Sequence, residues 1–78
     1  MKTGGTARTY NLFRRKREAD LVCAVPEDCA VPAFVDGRGW EYGGRTEDGP
    51  RAPPGFDSAA ARQAVRLSGF YLFHRLRA

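Results

Sequence analysis

Residues 9–26, Thr9-Tyr10-Asn11-Leu12-Phe13-Arg14-Arg15-Lys16-Arg17-Glu18-Ala19-Asp20-Leu21-Val22-Cys23-Ala24-Val25-Pro26, hold two apolar runs either side of a charged bend. In the first run Tyr10 and Leu12 point one way and Asn11 and Phe13 the other, which is the two-residue period of a strand. The second, Asp20 to Val25, is apolar on both faces, as a strand covered on both sides must be, and it stops at Pro26. The two runs predict a hairpin with the polar stretch Arg15 to Ala19 between its strands.

Working outward toward the C-terminus, Pro26 and Pro32 bracket a loop, because proline donates nothing to a central ladder. Ala33-Phe34-Val35 then runs into Asp36-Gly37, a dipeptide suited to a type I′ turn, and on to Arg38-Gly39-Trp40-Glu41-Tyr42. This predicts a second short hairpin with Trp40 and Tyr42 on one face, weakened by Gly39, Gly43 and Gly44. The 46–56 stretch contains Gly49, Pro50, Pro53 and Pro54 and is expected to be an exposed loop.

Asp57 is placed as a helix N-cap, with Phe56 before it able to staple onto Ala61. Ser58 to Ser68 is expected to be helical, with Ala60, Ala61, Ala64, Val65, Leu67 and Ser68 forming a small-residue face toward the sheet. Arg62 and Arg66 fall on the other side, and Gly69 is the left-handed stop. Phe70 to Leu76 alternates and is aromatic, which predicts a closing strand. A continuous helix to Leu76 competes, since Val65, Gly69, Leu72 and Leu76 keep helical spacing, but Gly69 and the aromatic density favour the strand.

Upstream, residues 1–7 are small and polar and are expected to form a flexible tail. The sequence therefore predicts one small α+β domain over 8–78. Its architecture is a mainly antiparallel sheet of three to five short strands in two hairpins, with one helix on a face and a C-terminal closing strand. At 78 residues its core is thin, since a domain of this size buries only about 60% of the surface of its unfolded chain.

Charge is distributed in blocks. Residues 1–17 carry six basic groups and no acid, residues 18–48 carry eight acids against Arg38 and Arg45, and residues 49–78 carry five arginines against Asp57. That order lets the ends fold over the middle and neutralise it. No run is apolar enough for a signal peptide or a membrane span, and two cysteines are too few for a disulfide scaffold, so a cytoplasmic location is expected.

Arg14-Arg15-Lys16-Arg17, four consecutive cations near Tyr10 and Phe13, offers phosphate contacts beside ring faces, the combination that single-stranded nucleic acid needs. Glu18 and Asp20 sit beside this run, and charge runs in turns are far more often simply solvated. Trp40 and Tyr42 are candidate protein-interface anchors, or else complete the core. Cys23, Cys29 and His74 have neither the spacing nor the number for a zinc knuckle, and a Cys-His nucleophile would need His74 brought to a thiol. Pro50-Arg51-Ala52-Pro53-Pro54 fits the permissive PxxP form but is better explained as a stiff loop. No acid-base pair, metal cage or phosphate loop stands out, so no cofactor and no small-molecule substrate are expected. The expectation is a non-catalytic accessory or protein-interaction domain, with self-association helping the thin core. The alternative is a weak nucleic-acid binder using the 14–17 cluster.

Overall fold

The two apolar runs of residues 9–26 form the centre of the sheet. A computed structural model describes residues 8–76, and the tail expected at 1–7 lies outside them. β1 (Thr9–Arg15) and β2 (Glu18–Pro26) pair antiparallel, with Tyr10 opposite Pro26, Leu12 opposite Ala24 and Phe13 opposite Cys23. Both strands run further into the charged bend than their apolar runs predict, so Arg14 and Arg15 belong to β1 and only Lys16 and Arg17 form the turn.

β3 (Trp40–Glu47) lies on the other side of β1, antiparallel to it. The second hairpin is therefore corrected. Ala33, Phe34 and Val35 form no strand; their amides close turns instead, with Val35 N–H donating to the Pro32 carbonyl and Asp36 N–H to that of Phe34. Asp36 accounts for the difference, because its carboxylate accepts the amides of Arg38 and Gly39 and so bends the chain into β3. Gly37 does not take the positive φ that a type I′ turn requires. β3 continues to Glu47, so the proline loop begins at Asp48 rather than at 46.

α1 (Ser58–Ser68) has the limits its caps dictate. Asp57 accepts the Ala60 amide at 3.1 Å, and Gly69 at φ 89° turns the chain out while its N–H closes on the Val65 carbonyl. The apolar face is narrower than expected: Ala61 is buried and Ala64 and Val65 are half-buried, but Ala60 and Ser68 are exposed and Leu67 is 77% exposed. β4 (Tyr71–His74) follows as a closing strand, antiparallel to β2 and shorter than the predicted 70–76. The result is a four-stranded antiparallel sheet in the order β3-β1-β2-β4 with one helix, a small α+β fold.

Strand alternation divides the interior into two layers. On the helix side Tyr10, Leu12, Val22, Ala24, Ala61 and Phe73 are buried, with Phe56, Val65 and Tyr71 against them. On the opposite side Cys23, Val25 and Trp40 are buried beneath Cys29 and Val35 of the 27–39 segment, with Phe13, Leu21 and Phe70 alongside. β2 is thus covered on both faces, which is why Val22 to Pro26 reads as an unbroken apolar run.

Two buried polar groups lack a partner among the described residues, the Arg75 Nε and the Tyr10 hydroxyl. Tyr10 is 0% exposed and its hydroxyl has no hydrogen-bond partner. Burial, with Asp48 adding to it, holds the phenol above its ordinary pKa. Desolvating an unpaired hydroxyl costs about 1–3 kcal/mol. Tyr10→Phe removes that cost and keeps the ring, so it is expected to stabilise the fold by about 1 kcal/mol in urea unfolding. A destabilised variant would mean that the hydroxyl has a partner in solution.

Candidate interaction surface

The edges of a sheet present unpaired backbone groups, and here the two edges are treated differently. Beside β4, the Arg75 N–H donates inward to the Asp20 carbonyl at 2.7 Å, so by alternation the Leu76 N–H faces outward. That outward group is already used, since it donates to the Pro54 carbonyl at 2.9 Å. Pro53, Pro54 and Gly55 thus cap the C-terminal end of this edge. The PxxP stretch is folded into turns, with Ala52 N–H on the Gly49 carbonyl and Phe56 N–H on that of Pro53, and so is not an extended proline helix.

β3 has no such cap. Asp48 N–H donates to the Arg8 carbonyl and Lys16 N–H to the Gly39 carbonyl, which fixes which β3 residues turn inward at each end. The pairing shifts by one residue between Leu12 and Phe13 because Gly43 is extra, a β-bulge. Counting inward from both ends leaves the amides and carbonyls of Tyr42, Arg45 and Glu47 directed outward. Apart from the Glu47 carbonyl, which accepts the Thr46 hydroxyl at 3.3 Å, none of these groups has a hydrogen-bond partner among the described residues. Tyr42 is 57% exposed and meets Phe13 edge-on, with ring centroids 5.9 Å apart.

The sequence-derived site residues separate under this geometry. Tyr10 is enclosed on the helix side and cannot reach a nucleic acid, whereas Phe13 is half-buried on the opposite face. Arg14 is held by Glu41 at 3.0 Å, and the Arg15 guanidinium lies over the Trp40 ring, 5.7 Å from its centroid. Lys16 donates to the Gly37 carbonyl at 2.7 Å, drawing Arg38 toward the turn, and Arg17 is exposed. The 14–17 run is therefore not a single basic face: its side chains divide between both sides of β1 and the turn. Trp40, only 6% exposed, takes the core role, and Tyr42 remains outside. Sequence reasoning missed Arg45 and Glu47, and the sole signal pointing to them was Gly43-Gly44 inside an otherwise strand-like run.

Ion pairs join the chain's ends to its acidic middle: Arg8 to Asp28 at 3.3 Å, Arg14 to Glu41, and Arg62 to Asp48 at 3.7 Å, with Arg45 also on Glu27. This is the internal neutralisation that the block order of charges allows. Apart from Asp48, whose side chain is largely covered, these partners are exposed, and exposed pairs contribute at most about 1 kcal/mol each, so they shape the surface field more than they hold the fold.

The thiols and the histidine are dispersed in role. Cys23 is buried, and burial pushes its thiol up to about 12, so it stays protonated and unreactive. Cys29 is half-buried and free, and its Sγ lies 3.8 Å from the Asp28 carboxylate. His74 is exposed and its Nε2 sits 2.8 Å from Glu18. No cluster of His, Cys, Asp and Glu among the described residues has the geometry to hold a metal.

Exposed apolar side chains gather near β4. Leu67 and Leu72 line an open groove of about 470 Å³ with Ala64 and Phe70, and Phe34 packs edge-on against Phe70 at 5.1 Å. No helix among the described residues is long and apolar enough to cross a membrane. Comparison of the chain with known protein families, with curated proteins and with solved structures finds no match.

Proposed function

We propose that this chain is a small, non-catalytic cytoplasmic interaction module that engages another polypeptide by adding a strand along β3. The observation that carries the reading is the uncapped β3 edge, where Tyr42, Arg45 and Glu47 direct backbone groups outward beside an exposed ring. Strand addition draws affinity from main-chain bonds and specificity from alternate side chains, so it needs no deep pocket. Free thiols at Cys23 and Cys29 suit a reducing compartment.

A photoactivatable benzophenone placed at Tyr42 of the full chain, in the cells that make it, tests this. The expected result is a discrete protein adduct at 42 and a weaker or absent one from the same probe at Leu67. Adducts from 67 alone would move the contact to the helix–β4 groove, and adducts from neither would overturn the reading.

Nucleic-acid binding is the rival class, and the neighbourhood of Lys16, Arg17 and Arg38 is what it would use. Because Arg14 is neutralised and Tyr10 enclosed, titration with mixed single-stranded DNA and RNA is expected to leave Trp40 fluorescence anisotropy unchanged at low salt. Saturable binding with a steep salt dependence would instead establish the rival.

A further inference from the structure

The uncapped edge also has a register, and the register selects a partner. Tyr42 and Arg45 are three residues apart, an odd spacing that in a regular strand would send one outward and the other inward. The extra residue Gly43 corrects the parity, so Tyr42 and Arg45 both face outward and both project from the same face of the sheet. An antiparallel neighbour that places its own Arg45 opposite Tyr42 necessarily places its Tyr42 opposite Arg45.

We propose, resting on the reading of β3 as the contact edge, that its partner is β3 of a second copy of this chain. The two strands run antiparallel about a two-fold axis between Gly43 and Gly44, joining two four-stranded sheets into one. In this register each Tyr42–Arg45 pair exchanges main-chain bonds through groups left unused in the single copy. Registers that centre on Tyr42 alone bring the inward-facing Gly44 opposite an outward-facing residue and lose the ladder beyond the bulge.

Side chains agree with the backbone. The Arg45 guanidinium of one copy meets the exposed Tyr42 ring of the other, a cation–π geometry repeated by symmetry. Glu47 of one copy lies opposite Trp40 of the other, the ring over which Arg15 is spread. Within one copy neither Arg15 nor Glu47 has an ion-pair partner among the described residues, and the two-fold supplies each with the other. Glu41 is paired with Arg14 on the opposite face, and Arg45, held by Glu27 in the single copy, exchanges that exposed pair for the Tyr42 ring when the copies meet. At the axis, Gly43 and Gly44 carry no side chains to hold the backbones apart, and a Cβ on Gly44 would meet nothing within 4 Å. The edge also lacks lysine and proline, the residues that usually blunt a strand against self-pairing.

Sedimentation equilibrium on the full chain tests the pairing. Wild type is expected to show a reversible monomer–dimer equilibrium. Glu47→Arg or Arg15→Glu is expected to weaken the dimer about tenfold by setting like charges across the seam twice. The charge-swapped double variant Arg15→Glu/Glu47→Arg is expected to recover to within about threefold of wild type, an outcome that a mere folding defect cannot produce. Circular dichroism on each variant confirms that the fold is retained. A folded wild type that stays monomeric at every concentration overturns the second-copy proposal. A dimer indifferent to Glu47→Arg does the same. A monomer that still forms Tyr42 adducts with a different protein leaves the interaction reading standing, whereas absence of both dimer and adducts removes both.

Discussion

Gly55→Ala is expected to cost about 4 kcal/mol, the sum of a left-handed backbone held by a non-glycine residue and a steric clash in a packed site. Gly55 has φ 96°, and a Cβ built there lies 2.3 Å from the His74 carbonyl oxygen and 3.1 Å from the Leu76 nitrogen. Neither neighbour can give way cheaply. Both belong to the backbone at the C-terminal end of β4, and the Leu76 amide is the one bonded to Pro54. The substitution therefore acts where the proline loop closes the sheet edge. A domain of this length has only about 4–12 kcal/mol of stability in total, so the loss takes at least about a third of it. Thermal melts should place Gly55→Ala at least about 15 °C below wild type. Gly37→Ala is the control, because its Cβ meets nothing and its φ is not in the left-handed region, and it is expected to melt within a few degrees of wild type. If the two variants melt together, the cap on β4 is not held in solution as described.

Much of this fold was legible locally, and the reason is that caps and alternation are local properties. Asp57 and Gly69 delimit α1 without reference to the rest of the chain, since each satisfies backbone groups within four residues of itself. The central hairpin declares itself through Tyr10/Leu12 alternation and the unbroken run after Leu21. The failure at residues 33–42 has the opposite cause. Asp36-Gly37 is a sound turn signal, but the choice between pairing with 33–35 and pairing with β1 is made by a strand some thirty residues upstream and by Asp36 capping amides next to it. Gly43 and Gly44, which in sequence weaken a strand, are in the fold the bulge that lets β3 run on to Glu47.

The candidate site was legible in composition and not in parity. Tyr10, Phe13, Trp40 and Tyr42 are all aromatic, yet the alternation of β1 sends Tyr10 to the helix side and Phe13 to the other. Whether Trp40 or Tyr42 stays exposed depends on how far the 27–39 segment reaches across that face. A one-residue bulge reverses every later side chain, so no reading of local pattern could have placed Arg45 on the same face as Tyr42.

Phe56→Ala is the second large effect expected, and it probes how the helix, the proline loop and β4 are joined. The Phe56 ring stands edge-on to Tyr10, Tyr71 and Phe73, with a centroid separation of 5.3 Å to each. It immediately precedes the N-cap Asp57, whose amide donates to the Tyr71 hydroxyl at 3.3 Å. One side chain thus ties the entry of α1 to β1 and β4. Truncating a buried phenylalanine costs about 3–5 kcal/mol, and Phe56 is half-buried, so a loss of about 3 kcal/mol is expected in urea unfolding. Amide exchange should quicken together in α1 and β4, because both lose the same support. The cluster lies on the helix side of the sheet, whereas Tyr42, Arg45 and Glu47 project from the other face, and effects at sites with no shared partners add independently. At temperatures where Phe56→Ala remains folded, its dimer dissociation constant should therefore match that of wild type. A weakened dimer in a folded Phe56→Ala protein would mean that the helix side and the β3 edge are coupled through the sheet, and the association surface would then have to include both.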